Sequence, residues 1–269
     1  MEQIGSFTAP SGTVGQDTPF QGKRALVTGA ASGIGRAVAQ HLCRLGASVA
    51  FSDIDAERLI EVTAGLEGAS AIVTDLADAA QVERLAHIVG PVDILINNAG
   101  LQHVSPVEDF GLERWDELLA VMLTAPFLLI KSLIPAMYTQ GWGRIVNVAS
   151  VHGLVASPYK AAYVAAKHGL LGLTKTVALE AAAHGGNLSV SAVCPSYVKT
   201  ALVEKQITDQ ARLRGIAEAD VKDGLLERNA VKRFIEPEDV AHAIGFLCGD
   251  NAWAMTGAAL SMDAGWLAH

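Results

Sequence analysis

Three side chains that could move a proton stand at helical spacing between residues 160 and 167. Lys160, Tyr163 and Lys167 occupy positions i, i+3 and i+7, which share one stripe of an α-helix. Opposite charges nearby favour the ionised phenol, so we expect the pKa of Tyr163 to lie below its ordinary value of about 10. Tyr163 is therefore the candidate general base.

A candidate catalytic hydroxyl precedes this helix. Ser150 follows the apolar run RIVNVA at residues 144–149, which is typical of a β-strand. Its hydroxyl is therefore expected at the carboxyl end of a strand, where open α/β sheets bind ligands. A tyrosine followed four residues later by lysine also occurs by chance on solvated helix faces, so the interpretation depends on further motifs.

The first of these motifs is a glycine-rich turn. Residues 28–35 read TGAASGIG, between a strand ending at Thr28 and a helix reaching Leu45. Glycines permit a tight turn and close approach of the backbone to a pyrophosphate, which helix-end N–H groups bind. The loop is therefore predicted to bind a dinucleotide. Its predicted cofactor-binding residues are Gly29, Ser32, Gly33, Ile34 and Gly35.

An acidic residue ends the second strand-like run. Asp53 is placed to accept hydrogen bonds from the adenosine ribose hydroxyls and to repel a 2′-phosphate. The predicted cofactor is therefore NAD rather than NADP. The alternative is that Asp53 caps a helix, although Asp55 directly precedes that helix and is the better candidate.

Seven short apolar runs alternate with helical patterns. They span residues 24–28, 48–52, 70–74, 93–96, 144–149, 188–194 and 258–262. This alternation predicts an α/β fold: a single Rossmann-type, doubly wound domain with a seven-stranded parallel sheet flanked by helices. Residues 1–20 are polar and lack periodicity, so they are predicted to be a flexible leader before a domain of residues 21–269.

Composition excludes several classes of protein. A net charge of −8 without any basic run argues against binding to nucleic acid or to an anionic membrane. Cys43, Cys194 and Cys248 are far apart, without the spacing of a zinc site, so no metal is predicted and the thiols are expected in a reducing compartment. No signal peptide or long uninterrupted apolar run is present, which predicts a soluble cytoplasmic protein.

These motifs resemble those of the short-chain dehydrogenase/reductase family over nearly all of residues 23–266. The resemblance extends to Asp75 and Leu76 after the third strand, the sequence NNAG at residues 97–100 and Pro195 after the sixth strand. It implies that Ser150, Tyr163 and Lys167 catalyse hydride transfer. The further cofactor contacts that it implies are Asp75, Leu76, Asn98, Ala99, Gly100, Tyr163, Lys167, Pro195, Val198 and Thr200.

A narrower resemblance is to the bacterial 3-hydroxybutyrate dehydrogenases. It rests on GLQH at residues 100–103, GWGR at 141–144, SVHGLVAS at 150–157 and YVKTALVEKQ at 197–206. It implies oxidation of (R)-3-hydroxybutyrate to acetoacetate, a reaction of ketone body metabolism. The family resemblance implies a homotetramer formed by the long helices near residues 113–137 and 159–183. The residues that it implies bind the substrate carboxylate, termed the carboxylate clamp below, are Gln102, His152, Lys160 and Gln206.

The residues themselves also favour an acid as substrate. A small hydroxy acid needs a charged anchor and neutral donors, and Lys160 lies one helical turn from Tyr163. By the resemblance Trp266 lines the site, although packing in a C-terminal core is an equal alternative. The Glu-, Lys- and Arg-rich segment of residues 199–230, termed the lid below, is expected to exclude water and to bring in Gln206 when substrate is present.

One position departs from the family pattern. Many members have an asparagine that continues a proton relay to the lysine, and Met122 stands at the matching position. A thioether cannot serve that role, which puts the relay in doubt. Ser196 and Ala264 replace glycines of the pattern, and both are small enough to be tolerated.

Three other functions remain open from the sequence. A reductase of 3-oxoacyl thioesters typically requires a basic residue for NADPH where this chain has Asp53. A dehydrogenase of another small polar alcohol, such as a polyol or sugar acid, fits the same motifs. A sensor or scaffold that binds NAD without catalysis is disfavoured by the intact Ser150, Tyr163 and Lys167.

Overall fold

A computed structural model of the protein describes residues 18–268. Its seven strands form a single parallel sheet and alternate with nine α-helices in the described part of the chain. The strands are β1 Arg24–Thr28, β2 Ser48–Asp53, β3 Ala69–Val73, β4 Ile94–Asn97, β5 Trp142–Val148, β6 Asn187–Pro195 and β7 Ala259–Met262. The helices are α1 Gly33–Arg44, α2 Ala56–Thr63, α3 Ala79–Val89, α4 Leu112–Leu119, α5 Ala125–Gln140, α6 Ala161–His184, α7 Ala201–Arg214, α8 Glu218–Glu227 and α9 Pro237–Cys248.

The sheet has the order β3-β2-β1-β4-β5-β6-β7. The chain winds outward from β1 in one direction and then from β4 in the other, which places a topological switch point between these two strands. The predicted doubly wound parallel sheet is confirmed, and each strand lies within two residues of its predicted bounds. Parallel strands end at the same edge, so the predicted site residues that follow them are brought to one edge of the sheet.

Alternate residues of each central strand pack into two different cores. In β1, Ala25 and Val27 join the core that contains α1 and α9, whereas Leu26 joins the core that contains α3, α5 and α6. In β4, Ile96 joins the first of these cores and Leu95 joins the second. Both faces of the sheet are therefore covered, which explains why the strands read as continuous apolar runs rather than as alternating ones.

The fold begins before the boundary predicted from the sequence. Phe20 is buried, and its N–H donates to the carbonyl of Leu45 at 2.9 Å. Phe20 is therefore part of the core rather than of a leader. Residues 1–17 of the predicted leader lie outside the described residues.

Helices α4 and α5 are joined without a break by a π-helical turn, Ala120–Thr124. The continuous helix Leu112–Gln140 is long and apolar enough to cross a membrane, with a mean hydropathy of 2.0 in its most apolar window. That window is 50% buried, and Met122, Leu129 and Leu133 belong to the core. A single such helix is weak evidence for a membrane span, because a buried core helix has the same composition.

Candidate active site

A cleft of about 400 Å³ is lined by residues at and just beyond the carboxyl ends of the strands. This volume lies in the range of small-molecule and cofactor sites. Ser150, Tyr163 and Lys167 line it, together with every predicted cofactor-binding residue except Gly35. Those cofactor-binding residues are Gly29, Ser32, Gly33, Ile34, Asp53, Asp75, Leu76, Asn98, Ala99, Gly100, Tyr163, Lys167, Pro195, Val198 and Thr200.

The glycine loop is fixed by close packing. Gly29 has a φ of +65°, and a Cβ added there would lie 2.9 Å from the Cα of Ala99. A Cβ on Gly35 would overlap the carbonyl oxygen of Gly29. Gly35 is therefore required for packing of the loop and does not line the cleft.

The start of α1 suits a bound anion. Ser32 is the N-cap residue, its side chain makes no capping hydrogen bond, and the first turn contains no acidic residue. The N–H groups of the first turn have no partners within the helix, so they can hold a phosphate. Gly33 has a φ of +53° and faces the methyl group of Thr200, which a Cβ would approach to 3.1 Å. This geometry fits the pyrophosphate of a dinucleotide.

Asp53 is held rigidly at the end of β2. One carboxylate oxygen accepts from the N–H of Ala31 in the glycine loop at 3.0 Å, and the other accepts from the N–H of Asp55 at 3.1 Å. Asp55 in turn caps α2 by accepting from the N–H of Arg58. The helix cap is thus Asp55, as predicted, and Asp53 presents an oriented acceptor to the cleft that suits ribose hydroxyls.

Polar side chains beneath the cleft support its edge, and the sequence reasoning missed most of them. Asn98 donates two hydrogen bonds to Thr28. Its Nδ2 donates to the Thr28 carbonyl at 2.8 Å, and its backbone N–H donates to the Thr28 hydroxyl at 3.0 Å. Deeper in the sheet, Asn97 donates to Asn147 and Asn147 donates to Thr174, each at 2.8 Å. These residues could have been found as polar residues within apolar stretches of the sequence. Buried polar groups are nearly always hydrogen-bonded, so such residues are expected to pair with one another.

The three candidate catalytic residues meet at the end of β5. Ser150 caps the short turn Val151–Gly153, and its Oγ accepts from the N–H of His152 at 3.1 Å. Lys167 donates from Nζ to the carbonyl of Val148 at 2.7 Å, and this Nζ lies 5.7 Å from the ring centroid of Tyr163. The structure therefore brings together the hydroxyl, the phenol and the ammonium that the sequence singled out.

The pKa of Tyr163 shifts in the opposite direction from the prediction. Burial raises it, because desolvation disfavours the phenolate, and the hydrogen bond with Ser150 opposes this effect without reversing it. The Nζ atoms of Lys160 and Lys167 lie 5.9 and 5.7 Å from the ring centroid, and their charges do not offset the effect of burial. Burial also lowers the pKa of Lys167 to about 8. The prediction of a lowered tyrosine pKa is therefore wrong for the protein alone.

Lys160 lies outside the helix on which the sequence placed it. Helix α6 begins at Ala161, Lys160 is its N-cap residue, and Tyr159 before it has a φ of +66°. Lys160, Tyr163 and Lys167 thus do not share one stripe of a continuous helix. Lys160 Nζ is nevertheless only 5.9 Å from the Tyr163 ring centroid, so the expected proximity is retained.

Three members of the carboxylate clamp are in contact. Lys160 Nζ lies 3.4 Å from Nε2 of His152 and donates to Oε1 of Gln206 at 3.2 Å. All three side chains are buried. Burial lowers the pKa of Lys160 to about 8 and, together with the charges of Lys160 and Arg228, lowers the pKa of His152 to about 3. His152 is thus neutral at pH 7, and the charge of the site resides on Lys160.

Two amide groups of the clamp have unsatisfied donors. The Nε2 atoms of Gln102 and Gln206 are buried and have no hydrogen-bond partner among the described residues. A buried donor without a partner is costly, so such groups indicate that a polar ligand completes the site. In the described structure Gln102 makes no hydrogen bond to the other three clamp residues, so its part in the clamp stays a prediction.

Aromatic rings form a wall beside the clamp. Trp266 meets the His152 ring edge-on at 5.4 Å and stacks on Tyr197 at 5.6 Å with an interplanar angle of 16°. Trp266 therefore both lines the site and packs in a small core that includes Tyr197 and lid residues such as Ile207. The lid, which contains α7 and α8, lies over this wall with Gln206 already against Lys160, so its movement stays a prediction.

Met122 lies within the π-helical turn and is fully buried. A Cβ added to Gly100 would be 3.7 Å from Met122 Sδ and 4.0 Å from Lys167 Nζ. The thioether and the ammonium therefore lie on the same side of Gly100. The thioether offers at most a weak acceptor there.

This fold and site define a nicotinamide-dependent oxidoreductase. Residues 23–211 match the model of the short chain dehydrogenase family, and the chain belongs to this family. It is 47% identical over 258 residues to the D-beta-hydroxybutyrate dehydrogenase of Rhizobium meliloti, covering 92% of this chain and 99% of that protein. It is 42% identical over 264 residues to the protein of the same name from Cupriavidus necator, covering 93% and 100%.

A solved structure agrees at the level of the fold. It is assigned as an NAD(P)-dependent gluconate 5-dehydrogenase from Beutenbergia cavernae and contains bound NADP at low occupancy. It superposes with a TM-score of 0.82 at 38% identity and covers 93% of this chain and 100% of its own. The family relationship confirms an enzyme with a nicotinamide cofactor.

Proposed function

We propose that the protein catalyses the reversible, NAD-dependent oxidation of (R)-3-hydroxybutyrate to acetoacetate. The observation that carries this proposal is the buried contact of Lys160 with His152 and Gln206, next to Ser150 and Tyr163. A buried ammonium surrounded by neutral polar groups requires an anionic partner, and a carboxylate is the partner of suitable size. The names of the two relatives support the same substrate.

Cofactor choice follows from Asp53. Its fixed carboxylate is suited to the ribose diol of NAD and would repel the 2′-phosphate of NADP. The N-terminus of α1 would hold the pyrophosphate, Thr200 the carboxamide and Lys167 the nicotinamide ribose. When bound, the nicotinamide accepts a hydride from the substrate carbon.

The residues of the chain supply binding and proton transfer. The carboxylate clamp fixes the acid, so that its C3 hydroxyl meets Ser150 and Tyr163. Ser150 donates a hydrogen bond that orients this oxygen, and Tyr163 as phenolate takes its proton. Because burial raises the pKa of Tyr163, the positive charge of Lys167 is needed to stabilise the phenolate.

The test is a comparison of substrates and cofactors on the purified protein. We expect NADH to form with NAD and (R)-3-hydroxybutyrate, and little reaction with the (S) enantiomer or with NADP. Gluconate with either cofactor, and NADPH with an acetoacetyl thioester, serve as the competing assays. Turnover of gluconate or of the thioester without turnover of the hydroxy acid would contradict the proposal.

We further propose that the enzyme is a cytoplasmic homotetramer. Phe127 on α5 and Leu179 on α6 are 46% and 75% exposed, and large apolar side chains on adjacent long helices are typical of a subunit interface. Light scattering after size-exclusion chromatography measures the mass directly. A monomer at micromolar concentration would contradict the assembly without affecting the catalytic proposal.

A further inference from the structure

Arg228 directly follows α8 and lies beside the wall of the clamp. The carbon of its guanidinium lies 5.5 Å from the ring centroid of Trp266, within the range of a cation–π interaction. Arg228 is exposed, whereas Trp266 is buried and begins the last turn of the described chain, Trp266–Ala268. The contact therefore joins the end of the lid to the C-terminal turn.

The aromatic ring under Arg228 leads directly to the clamp. Trp266 contacts His152 edge-on and stacks on Tyr197, and the Tyr197 ring centroid lies 5.8 Å from Lys160 Nζ. Arg228 and Lys160 are thus the outer and inner cations of one series of packed rings. A shift of the Trp266 ring would change the position of His152, because buried aromatic rings pack closely.

The charge of Arg228 is also felt inside the site. Burial is the largest cause of the lowered pKa of His152, followed by the charge of Lys160 and then by the charge of Arg228. Burial raises the pKa of Tyr197, and Arg228 is the largest of the effects that oppose this rise. In a chain with a net charge of −8, a cation at this place increases the local positive potential for an anion.

We propose that Arg228 is a positioning residue of the carboxylate clamp, which holds the Trp266 ring against His152 and Tyr197 and adds positive charge at the entrance for an anionic substrate. This inference rests on the proposed function. It predicts that Arg228 acts on the Michaelis constant (KM) of the acid and not on the cofactor or on the chemical step.

The first test compares Arg228→Ala with Lys222→Ala. Lys222 is an exposed residue of α8, so both variants remove one positive charge from the same end of the lid. We expect Arg228→Ala to raise KM for (R)-3-hydroxybutyrate about fivefold, with kcat and the Kd of NAD unchanged, and Lys222→Ala to change none of them. Arg228→Lys keeps the charge and should raise KM less than about twofold. Equal KM values in Arg228→Ala and Lys222→Ala would overturn the proposal.

A double-mutant cycle with Trp266→Leu tests whether Arg228 acts through the ring. In that background we expect Arg228→Ala to raise KM by less than about twofold, because the ring that it positions is absent. The same fivefold rise in both backgrounds would overturn the positioning role. Melting temperatures of the four proteins identify any loss of folding, and Arg228→Lys provides a second, milder variant.

The wild-type protein separates this inference from the proposed function. If it does not oxidise the hydroxy acid, the proposed function fails and the inference on Arg228 fails with it. If it does oxidise the acid and Arg228→Ala leaves KM unchanged, only the inference on Arg228 is wrong.

Discussion

The cofactor end of the cleft is built from backbone and small residues, whereas the carboxylate clamp is built from buried polar side chains. At the first, Gly29 and Gly33 adopt positive φ values, and a Cβ on either would lie within 3.1 Å of a neighbouring residue. At the second, Lys160 and His152 are buried and their pKa values are lowered. Tyr163 lies between the two regions and lines the cleft.

The difference determines what each region tolerates. A cofactor held by N–H groups is sensitive to added volume and to backbone strain, and insensitive to most changes of charge. A substrate held by a buried ammonium is sensitive to loss of that charge, since a buried group left without its partner is costly. The following substitutions separate the two regions by their effects on cofactor affinity and on the KM of the acid.

The largest expected effect is at Tyr163, which lies between the two binding regions. Tyr163→Phe removes the proton acceptor and keeps the ring, so we expect kcat to fall by about 10³-fold or more. The Kd of NAD, measured by titration of protein fluorescence, should stay within about twofold of wild type. A variant that retains a tenth of the wild-type kcat would show that another group accepts the proton.

The next largest effect is expected in the clamp. Lys160→Met keeps the length of the side chain and removes the charge, so KM for the acid should rise about 100-fold, as expected for the loss of a charge-assisted hydrogen bond. The Kd of NAD should not change. Lys175→Ala, an exposed lysine farther along α6, is the matched control. An unchanged KM in Lys160→Met would refute the carboxylate assignment.

The same variant makes a prediction about stability and pH. The pKa of Lys160 falls from 10.5 to about 8 on folding, so between these values the unfolded chain binds more protons than the folded one. Stability of the wild type should therefore rise with pH across this window, by an amount on the order of 3 kcal/mol from this group. Urea unfolding should show a smaller rise for Lys160→Met. Parallel profiles for the two proteins would mean that Lys160 keeps an ordinary pKa.

The fold and the cofactor end could be predicted because their signals are local. Each strand is a short apolar run. Gly29 directly follows β1 and Asp53 is the last residue of β2, so the parallel sheet alone brings them to one edge. Phe20 was the exception. A single aromatic in a polar segment gives no periodic pattern, and only its packing against the core makes it part of the fold.

The clamp could be named from a resemblance and not from local pattern, since its members are far apart in the sequence. Spacing placed Lys160 on the helix, whereas the backbone has a positive φ at Tyr159 and the helix begins only at Ala161. Spacing also predicted a lowered pKa for Tyr163, because it could not show that burial outweighs the ammonium charges. Arg228 gave no signal, as exposed arginines are common.

A smaller effect is expected for a single added methyl group at the cofactor end. Gly33→Ala forces a positive φ on alanine and brings its Cβ to 3.1 Å from Thr200, so the Kd of NAD should rise about tenfold. Gly185→Ala is the control, because Gly185 has a φ of +79° and open space around it. Both variants should lose about 1 kcal/mol of stability. A tenfold rise in Kd for both variants would show that backbone strain causes the effect, rather than the added methyl group in the cleft.

The smallest effect is expected at Met122, which is fully buried and is neither a predicted cofactor-binding residue nor a member of the clamp. Met122→Leu keeps the volume and removes the sulfur, and kcat should stay within about twofold, because the proposed mechanism uses only Tyr163, Lys167 and Ser150. Met122→Asn introduces an amide near Lys167 and should change kcat by less than about fivefold. If proton exit limits the rate, its solvent isotope effect on kcat should be smaller than that of the wild type. A tenfold loss in Met122→Leu would show that the thioether takes part in catalysis. Equal isotope effects in all three proteins would instead place proton exit on a route that does not pass residue 122.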